Sequence, residues 1–297
     1  MKLERSLNIF YVVDKNFIPH FTVSLTSLLE NNKDLHISVY VIHDLQDASV
    51  LQPIIDFFSN KYSVRLNLKE LDNQVFDNIP TNFAISTYIS KAAYFRLLLT
   101  DIIPGTVRSG LYIDCDTIVT GSLKDLIDIS FKTGNGMEEY SLMAVSDDNE
   151  VNDIERLKVL GIDTRFYFNS GVMLVNLEKW RAEDASAKLL QVTEEYRDHL
   201  KWLDQDVLNI YFINKTGRLK PIYNTIASVK SAAEPIILHF SGSSKPWHYM
   251  NRGPYKHIYW KYLRMTPFKN VQFEKVTLKK ILKKYVSVIK SLPGAAG

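Results

Sequence analysis

Short apolar runs alternate along this chain with segments of helical spacing, and several of the apolar runs end on an aspartate. Leu7–Val13 (LNIFYVV) leads into Asp14-Lys15-Asn16, and then into Pro19–Glu30 (PHFTVSLTSLLE), helically spaced with proline at its start. His36–Ile42 (HISVYVI) reads as a second strand, and Ala48–Phe58 as a helix that Pro53 delays or kinks. Ser63–Leu71 alternates as a third strand, and Thr87–Leu99 is helical up to the stop at Pro104-Gly105. Further strands are expected at Leu111–Ile113, Leu142–Val145, Gly171–Leu177 and Ile236–Phe240, and helices at Asp184–Tyr196 and Gln205–Phe212. This alternation predicts an α/β sheet with parallel pairs, whose ligands sit beyond the carboxyl ends of the strands. Asp14, Asp114, Asp116 and Asp147 all follow predicted strands, which points to a site along that edge.

The stretch YIDCDTIVTGSL (Tyr112–Leu123) sharpens the expectation. Alternation along a strand points Asp114 and Asp116 the same way around Cys115. Two close carboxylates repel unless a cation lies between them. Mg²⁺ and Mn²⁺ take oxygen ligands and are held by one or two carboxylates plus substrate phosphates, so the pair reads as a metal clamp for a diphosphate. Taken alone, Asp-x-Asp is also the pattern of a solvated turn. His239, at the end of a predicted strand, reads either as a further Mn²⁺ ligand or as a hydrogen-bonded core residue. Beyond it, Gly242 allows a close backbone approach, Lys245 is a point charge suited to phosphate, and Trp247 either stacks on a sugar or packs.

Composition narrows the classes. The 297 residues are 46% hydrophobic and 23% charged, enough for a full core. A net charge of +3 is too small to argue for nucleic acid. The N-terminus carries no signal-peptide pattern, no apolar run approaches a membrane span, and a single cysteine, Cys115, excludes an internal disulfide. The expected location is therefore cytoplasmic. No Gly-rich fingerprint supports a nicotinamide or P-loop site. The tail differs: Phe273–Leu292 places Leu278, Ile281, Leu282, Tyr285, Ile289 and Leu292 on one face and lysines on the others. Such a basic amphipathic helix either lies peripherally on an anionic membrane or packs on its own domain. Residues 1–265 are expected to form the catalytic domain and 266–297 the tail.

Six segments in order carry a resemblance: Asp14-Lys15-Asn16, Arg96 in AAYFRLLL, Asp114-Cys115-Asp116, YFNSGVMLVNLEKW (Tyr167–Trp180), LDQDVLN (Leu203–Asn209) and HFSGSSKPWH (His239–His248). Together they resemble the retaining glycosyltransferases of family 8, which include bacterial lipopolysaccharide galactosyl- and glucosyltransferases and glycogenin. The resemblance spans roughly residues 7 to 250. It implies a Rossmann-like, nucleotide-sugar-binding mixed sheet of GT-A type, a UDP-hexose donor, Mn²⁺ or Mg²⁺ as cofactor, and a glycan or glycolipid acceptor. Asp14 and Asn16 would bind the uridine side, and Arg96 the donor sugar and pyrophosphate. Asp114, Asp116 and His239 would ligate the metal, with Asp114 and Cys115 also at the donor. Gly242 and Lys245 would grip the diphosphate, while Asp147, Asn169, Asp204, Gln205 and Asp206 would line the sugar pocket. Transfer builds negative charge on UDP and positive charge on the anomeric carbon. Lys245 answers the first, and Asp204 or Asp206 the second. Gln205 lies where the family has a candidate for the face opposite the leaving group, and an amide is a poor nucleophile, which favours front-side attack. A sugar-nucleotide pyrophosphorylase would want a Gly-rich basic loop where Asp14-Lys15-Asn16-Phe17 stands. A protein that only binds the sugar nucleotide would not need Asp114, Asp116, His239, Gln205 and Lys245 all intact.

Overall fold

The computed structural model describes residues 6–71, 91–133, 136, 139–162, 166–274, 277–278 and 281, with the backbone alone at 91–93. Ten strands and nine α-helices occur among them. The first part of the chain contributes β1 (Ser6–Val13), α1 (Ile18–Glu30), β2 (His36–His43), α2 (Gln52–Tyr62), β3 (Leu66–Glu70), α3 (Leu99–Ile102) and β4 (Ser109–Ile113). The middle adds β5 (Thr117–Val119), α4 (Lys124–Ile127), β6 (Leu142–Ser146), α5 (Ile154–Val159), β7 (Phe168–Asn176), α6 (Leu177–Ala182) and α7 (Ala185–Glu195). The last part holds α8 (Leu203–Tyr211), β8 (Thr216–Arg218), β9 (Thr225–Ile226), β10 (Ile237–His239) and α9 (Lys256–Leu263).

A mixed seven-stranded sheet runs β3-β2-β1-β4-β7-β6-β8, and a small second sheet runs β5-β10-β9. β3, β2, β1 and β4 are mutually parallel, whereas β7 runs antiparallel between β4 and β6. The order reverses at β1, where β2 leaves on one side and β4 returns on the other. Crevices at such switch points are where open α/β sheets bind ligands.

Side-chain alternation sorts the core into two layers. Leu7, Ile9, Tyr11 and Val13 of β1 join Val39, Val41, Ile113 and Cys115 under α1 and α2. Phe10 faces the other way, with Tyr112, Met173 and Trp180 against α6, α7 and α8. Covered on both faces, β7 is buried at every position.

Most expected elements form, with shifted ends. α2 starts late, as Pro53 requires, and stops where Ser63 turns left-handed at φ 54°. The helix expected over Thr87–Leu99 falls partly outside the described residues. Its described part is a 3-10 run, Lys91–Leu98, continuing into α3, and Tyr94–Leu99 are all buried there. Of the expected tail helix, Phe273 and Glu274 are described and face the domain, and nearly all that follows lies outside the described residues. Phe273 packs against His20 and Trp260, and Glu274 accepts from the Tyr249 amide at 2.5 Å. Among the described residues no helix is long and apolar enough to cross a membrane.

Candidate active site

β4 ends at Ile113, and the Asp114–Asp116 turn follows at the switch point. Two neighbours fix this turn. The Asp114 amide donates to the Gly171 carbonyl of β7 at 2.8 Å, and the Asp116 carbonyl accepts from the Phe240 amide at 3.0 Å. The second bond, with the β5–β10 pairing of Thr117 and His239, brings the HFSGSSKPWH segment beside the carboxylates. Cys115 turns inward, its buried thiol donating to the Val12 carbonyl at 3.1 Å, and burial pushes that thiol well above its ordinary pKa. It is therefore the backbone of Cys115 that borders the site.

His239 Nε2 lies 3.3 Å from Asp116 Oδ1 and 3.8 Å from Asp114 Oδ2. One ligand atom from each of Asp114, Asp116 and His239 falls within 4.8 Å of the other two. Their side chains are 22%, 10% and 4% accessible, so the cluster opens on the Asp114 side. Three observations fit this cluster to a divalent cation. Asp116 Oδ1 is buried with no hydrogen-bond donor, an arrangement a bound cation would satisfy. The Lys245 ammonium sits against Asp116 Oδ2, a positive charge placed where the carboxylates need one. And the space is kept clear by Gly171: a Cβ there would lie 2.3 Å from His239 Cε1 and 2.7 Å from Asp114 Oδ2. Burial acts to raise the Asp116 pKa, but the Lys245 ammonium beside it lowers it and the carboxyl is held well below the usual range.

Arg96 organises the inner side. Its buried guanidinium reaches Asp114 Oδ1 at 2.9 Å and Asp204 Oδ2 at 3.2 Å, donates to Ser170 and lies over the Tyr112 ring. The Tyr112 hydroxyl donates to the same Asp114 oxygen at 2.8 Å. Burial lifts the Asp204 carboxyl, and although Arg96 opposes this, Asp114 adds to it and the group is pushed up to about 6. Next to it, Gln205 Oε1 accepts from the Ser170 amide and from Asn169 Nδ2, both at 3.1 Å. Its Nε2 donates to Asp147 Oδ2 and Tyr167 at 3.4 and 3.3 Å. Asn169 also donates to Asp147 at 3.3 Å.

Other expected residues lie at different depths. Asp14 caps the turn after β1, accepting from the Asn16 and Phe17 amides at 2.8 and 3.1 Å, and Asn16 is exposed. Gly242 sits exposed at φ 78°, a backbone angle that favours glycine. Trp247 has one face covered by His20, with centroids 3.4 Å apart and planes at 11°. Burial drives the His20 imidazole down to about 3, so it is neutral in this stack. Asp206 has no accessible surface; it accepts from Arg156 and Tyr167 through Oδ1 and from the Lys201 and Trp202 amides through Oδ2. The structure thus joins Arg96, Asp114, Asp116, Asp147, Asn169, Asp204, Gln205, His239 and Lys245, and holds Asp206 behind them. It also adds Gly171, Ser170, Tyr112 and Asn224. Tyr112, Ser170 and Gly171 lie inside the segments YIDCDTIVTGSL and YFNSGVMLVNLEKW, whereas Asn224 stands in a segment with no such signal. Beside Asp147, Asn169 and Asn224 a cleft of about 610 Å³ extends along Arg218, Pro221 and Ile226.

A mixed α/β sheet flanked by helices, with this carboxylate–histidine cluster at its switch point, has the GT-A type of fold. The chain belongs to glycosyl transferase family 8, whose model matches residues 8–251. It is 28% identical to a lipopolysaccharide 1,2-glucosyltransferase of Escherichia coli, over 92% of this chain and 83% of that protein. It is also 28% identical to a lipopolysaccharide 1,3-galactosyltransferase of Salmonella typhimurium, over 81% and 73%. Among solved structures, the galactosyltransferase LgtC with donor and acceptor sugar analogs superposes with a TM-score of 0.76 at 21% identity, over 93% of this chain and 100% of that one. The chain is thus a glycosyltransferase.

Proposed function

We propose that this glycosyltransferase is a divalent-metal-dependent retaining enzyme that moves a hexose, galactose or glucose, from its UDP derivative to a glycan or glycolipid acceptor. The observation that carries the reading is the cluster of Asp114, Asp116 and His239 at the switch point, with Asp116 Oδ1 buried and without a donor. Asp114, Asp116 and His239 would hold Mn²⁺ or Mg²⁺, which when bound supplies Lewis-acid neutralisation of charge on the diphosphate. The kinship with lipopolysaccharide glucosyl- and galactosyltransferases supports a hexose donor.

The chain's own residues divide the remaining work. Asp14 and Asn16, past the end of β1, are placed for the uridine. Lys245 exchanges its contact with Asp116 for the diphosphate, and Gly242 allows the loop to approach it. Arg96 binds Asp114 and Asp204 together, so the donor hydroxyls meet a preset pair of carboxylates. Ionised Asp204 offsets positive charge at the anomeric carbon, whereas Asp206, with both oxygens occupied by Arg156, Tyr167 and two backbone amides, holds the loop. Gln205 Oε1 is tied by the Ser170 amide and Asn169, which supports a positioning role and a front-side reaction. There the bond from the acceptor oxygen to the anomeric carbon forms on the face from which the phosphate oxygen leaves. The acceptor hydroxyl proton passes to that phosphate oxygen. The cleft beside Asp147 is offered to the acceptor. A Lys-rich tail in contact with an anionic membrane fits a glycolipid acceptor, and the lone buried thiol of Cys115 fits a reducing cytoplasm.

The test is UDP release from a panel of UDP-sugars, with Mn²⁺ and with chelator, for the wild type and Asp116→Asn. Slow hydrolysis of one UDP-hexose, stopped by chelation and lost in a folded variant, is the expected result. Turnover that survives chelation, or no discrimination among sugar nucleotides, overturns the reading.

A further inference from the structure

The hydrogen-bond polarity around His239 can be read from its fixed points. A backbone N–H only donates, and the Gly171 amide donates to Asn169 Oδ1 at 3.0 Å. That sets the Asn169 side-chain amide: its oxygen faces Gly171, and its nitrogen faces Gln205 Oε1 and Asp147 Oδ2. Those two acceptors agree with this setting, since Gln205 Oε1 is itself fixed by the Ser170 amide. Asn224 must then meet Asn169 Oδ1 with a donor, and its Nδ2 does so at 2.9 Å. The other end of the Asn224 amide is therefore its oxygen, which lies 2.9 Å from His239 Nδ1. An amide oxygen only accepts, so Nδ1 carries the hydrogen. In the neutral ring, Nε2 is left as a bare lone pair. It faces Asp116 Oδ1 at 3.3 Å, an oxygen that also has no donor. Lone pair against lone pair is unfavourable unless a cation lies between them.

We propose that Asn224, polarised by the Gly171 amide through Asn169, is the positioning residue that locks His239 in the Nδ1–H tautomer and so turns Nε2 into a metal ligand. This rests on the reading of Asp114, Asp116 and His239 as a divalent-metal site. Outer partners of this kind fix ring orientation and tautomer, and losing one costs about 10- to 100-fold in metal affinity. The chain Gly171–Asn169–Asn224–His239 also reaches Gln205 and Asp147, so the metal ligand and the sugar pocket share one hydrogen-bond polarity.

The experiment reads the tautomer directly, in metal-free protein. With ¹⁵N-labelled histidine, a long-range proton–nitrogen spectrum at a pH where the ring is neutral separates Nδ1–H from Nε2–H, and His239→Gln assigns the signal. The wild type is expected to show Nδ1–H for His239. Asn224→Leu is expected to lose this and to weaken Mn²⁺ binding about 10- to 100-fold, titrated by the spin resonance of free Mn²⁺. Asn224→Asp, which keeps an acceptor toward Nδ1 but gives up the donor toward Asn169 Oδ1, is expected to retain the Nδ1–H tautomer. An Nε2–H tautomer in the wild type, or a leucine variant with unchanged tautomer and Mn²⁺ affinity, overturns the proposal. The wild-type spectrum decides even where the leucine variant fails to fold. A wild type that shows Nδ1–H but binds no Mn²⁺ defeats the metal reading and also this proposal's last step, while leaving the tautomer assignment standing.

Discussion

Asp114 and Asp116 are near each other because the chain makes them so; their meeting with His239 depends on a residue that contributes no side chain. A methyl group at position 171 would occupy the space between the imidazole and Asp114. Asp204 shows the same dependence on surroundings in its ionisation. Its carboxyl is neutral below about 6 and anionic above. With a carboxylate there offsetting charge at the anomeric carbon, kcat/KM at saturating metal is expected to rise with pH through about 6 and then level. Asp204→Asn is expected to lose that acid limb and to run roughly 100-fold lower on the plateau, the scale on which removing one electrostatic stabiliser acts. Identical acid limbs in the two proteins would assign the titration to another group and remove Asp204 from the role.

At the scale of elements, the turn into α8 decides where Asp204 and Gln205 point. Leu203 sits buried at φ 38°, an angle that strains a branched side chain by roughly 1–3 kcal/mol. Asp206 holds the turn from inside, accepting the Lys201 and Trp202 amides at 2.7 and 2.9 Å while pairing with Arg156 at 2.8 Å. Asp206→Ala leaves Arg156 and two amides without that partner and is expected to cost about 3–5 kcal/mol in urea unfolding, with transfer falling alongside. A change under about 1 kcal/mol would return Asp206 to the list of residues kept for chemistry. β7 is the other deciding element. Because it runs antiparallel to β4, with Val172 opposite Ile113, its early residues Asn169, Ser170 and Gly171 lie just past the end of β4, where the Asp114 amide meets the Gly171 carbonyl. A strand thus delivers functional groups from its amino end to an edge otherwise built from carboxyl ends.

For the whole molecule, the described residues that follow the expected boundary at 265/266 pack on the domain as far as Phe273. Phe273 packs on His20, which stacks on Trp247 two residues from Lys245, so this much of the tail supports the active-site loop. A membrane test therefore compares the full chain with one ending after Glu274, which leaves these contacts in place. The full chain is expected to sediment with vesicles containing anionic lipid and to be released by salt, and the shortened chain to remain in the supernatant with donor hydrolysis retained. Equal sedimentation of the two would end the membrane role for the tail.

Periodicity and side-chain chemistry are local, and they are what the sequence determined by itself. The alternation of β1, α1, β2, α2 and β3 was legible because short apolar runs and helically spaced segments follow one another in the sequence itself. Asp114, Asp116, His239 and Lys245 were legible because ordered motifs resemble a family that the match over residues 8–251 then established. Tertiary structure decided which of those groups meet and in what state. The direction of β7 depends on pairing with β4, across more than fifty residues of chain. The burial of Asp206 and the lifted ionisation of Asp204 depend on neighbours from other elements, although the two residues are separated by one position. Asn224 has no motif at all; its function comes from standing between Asn169 and His239, and only the folded chain supplies that position.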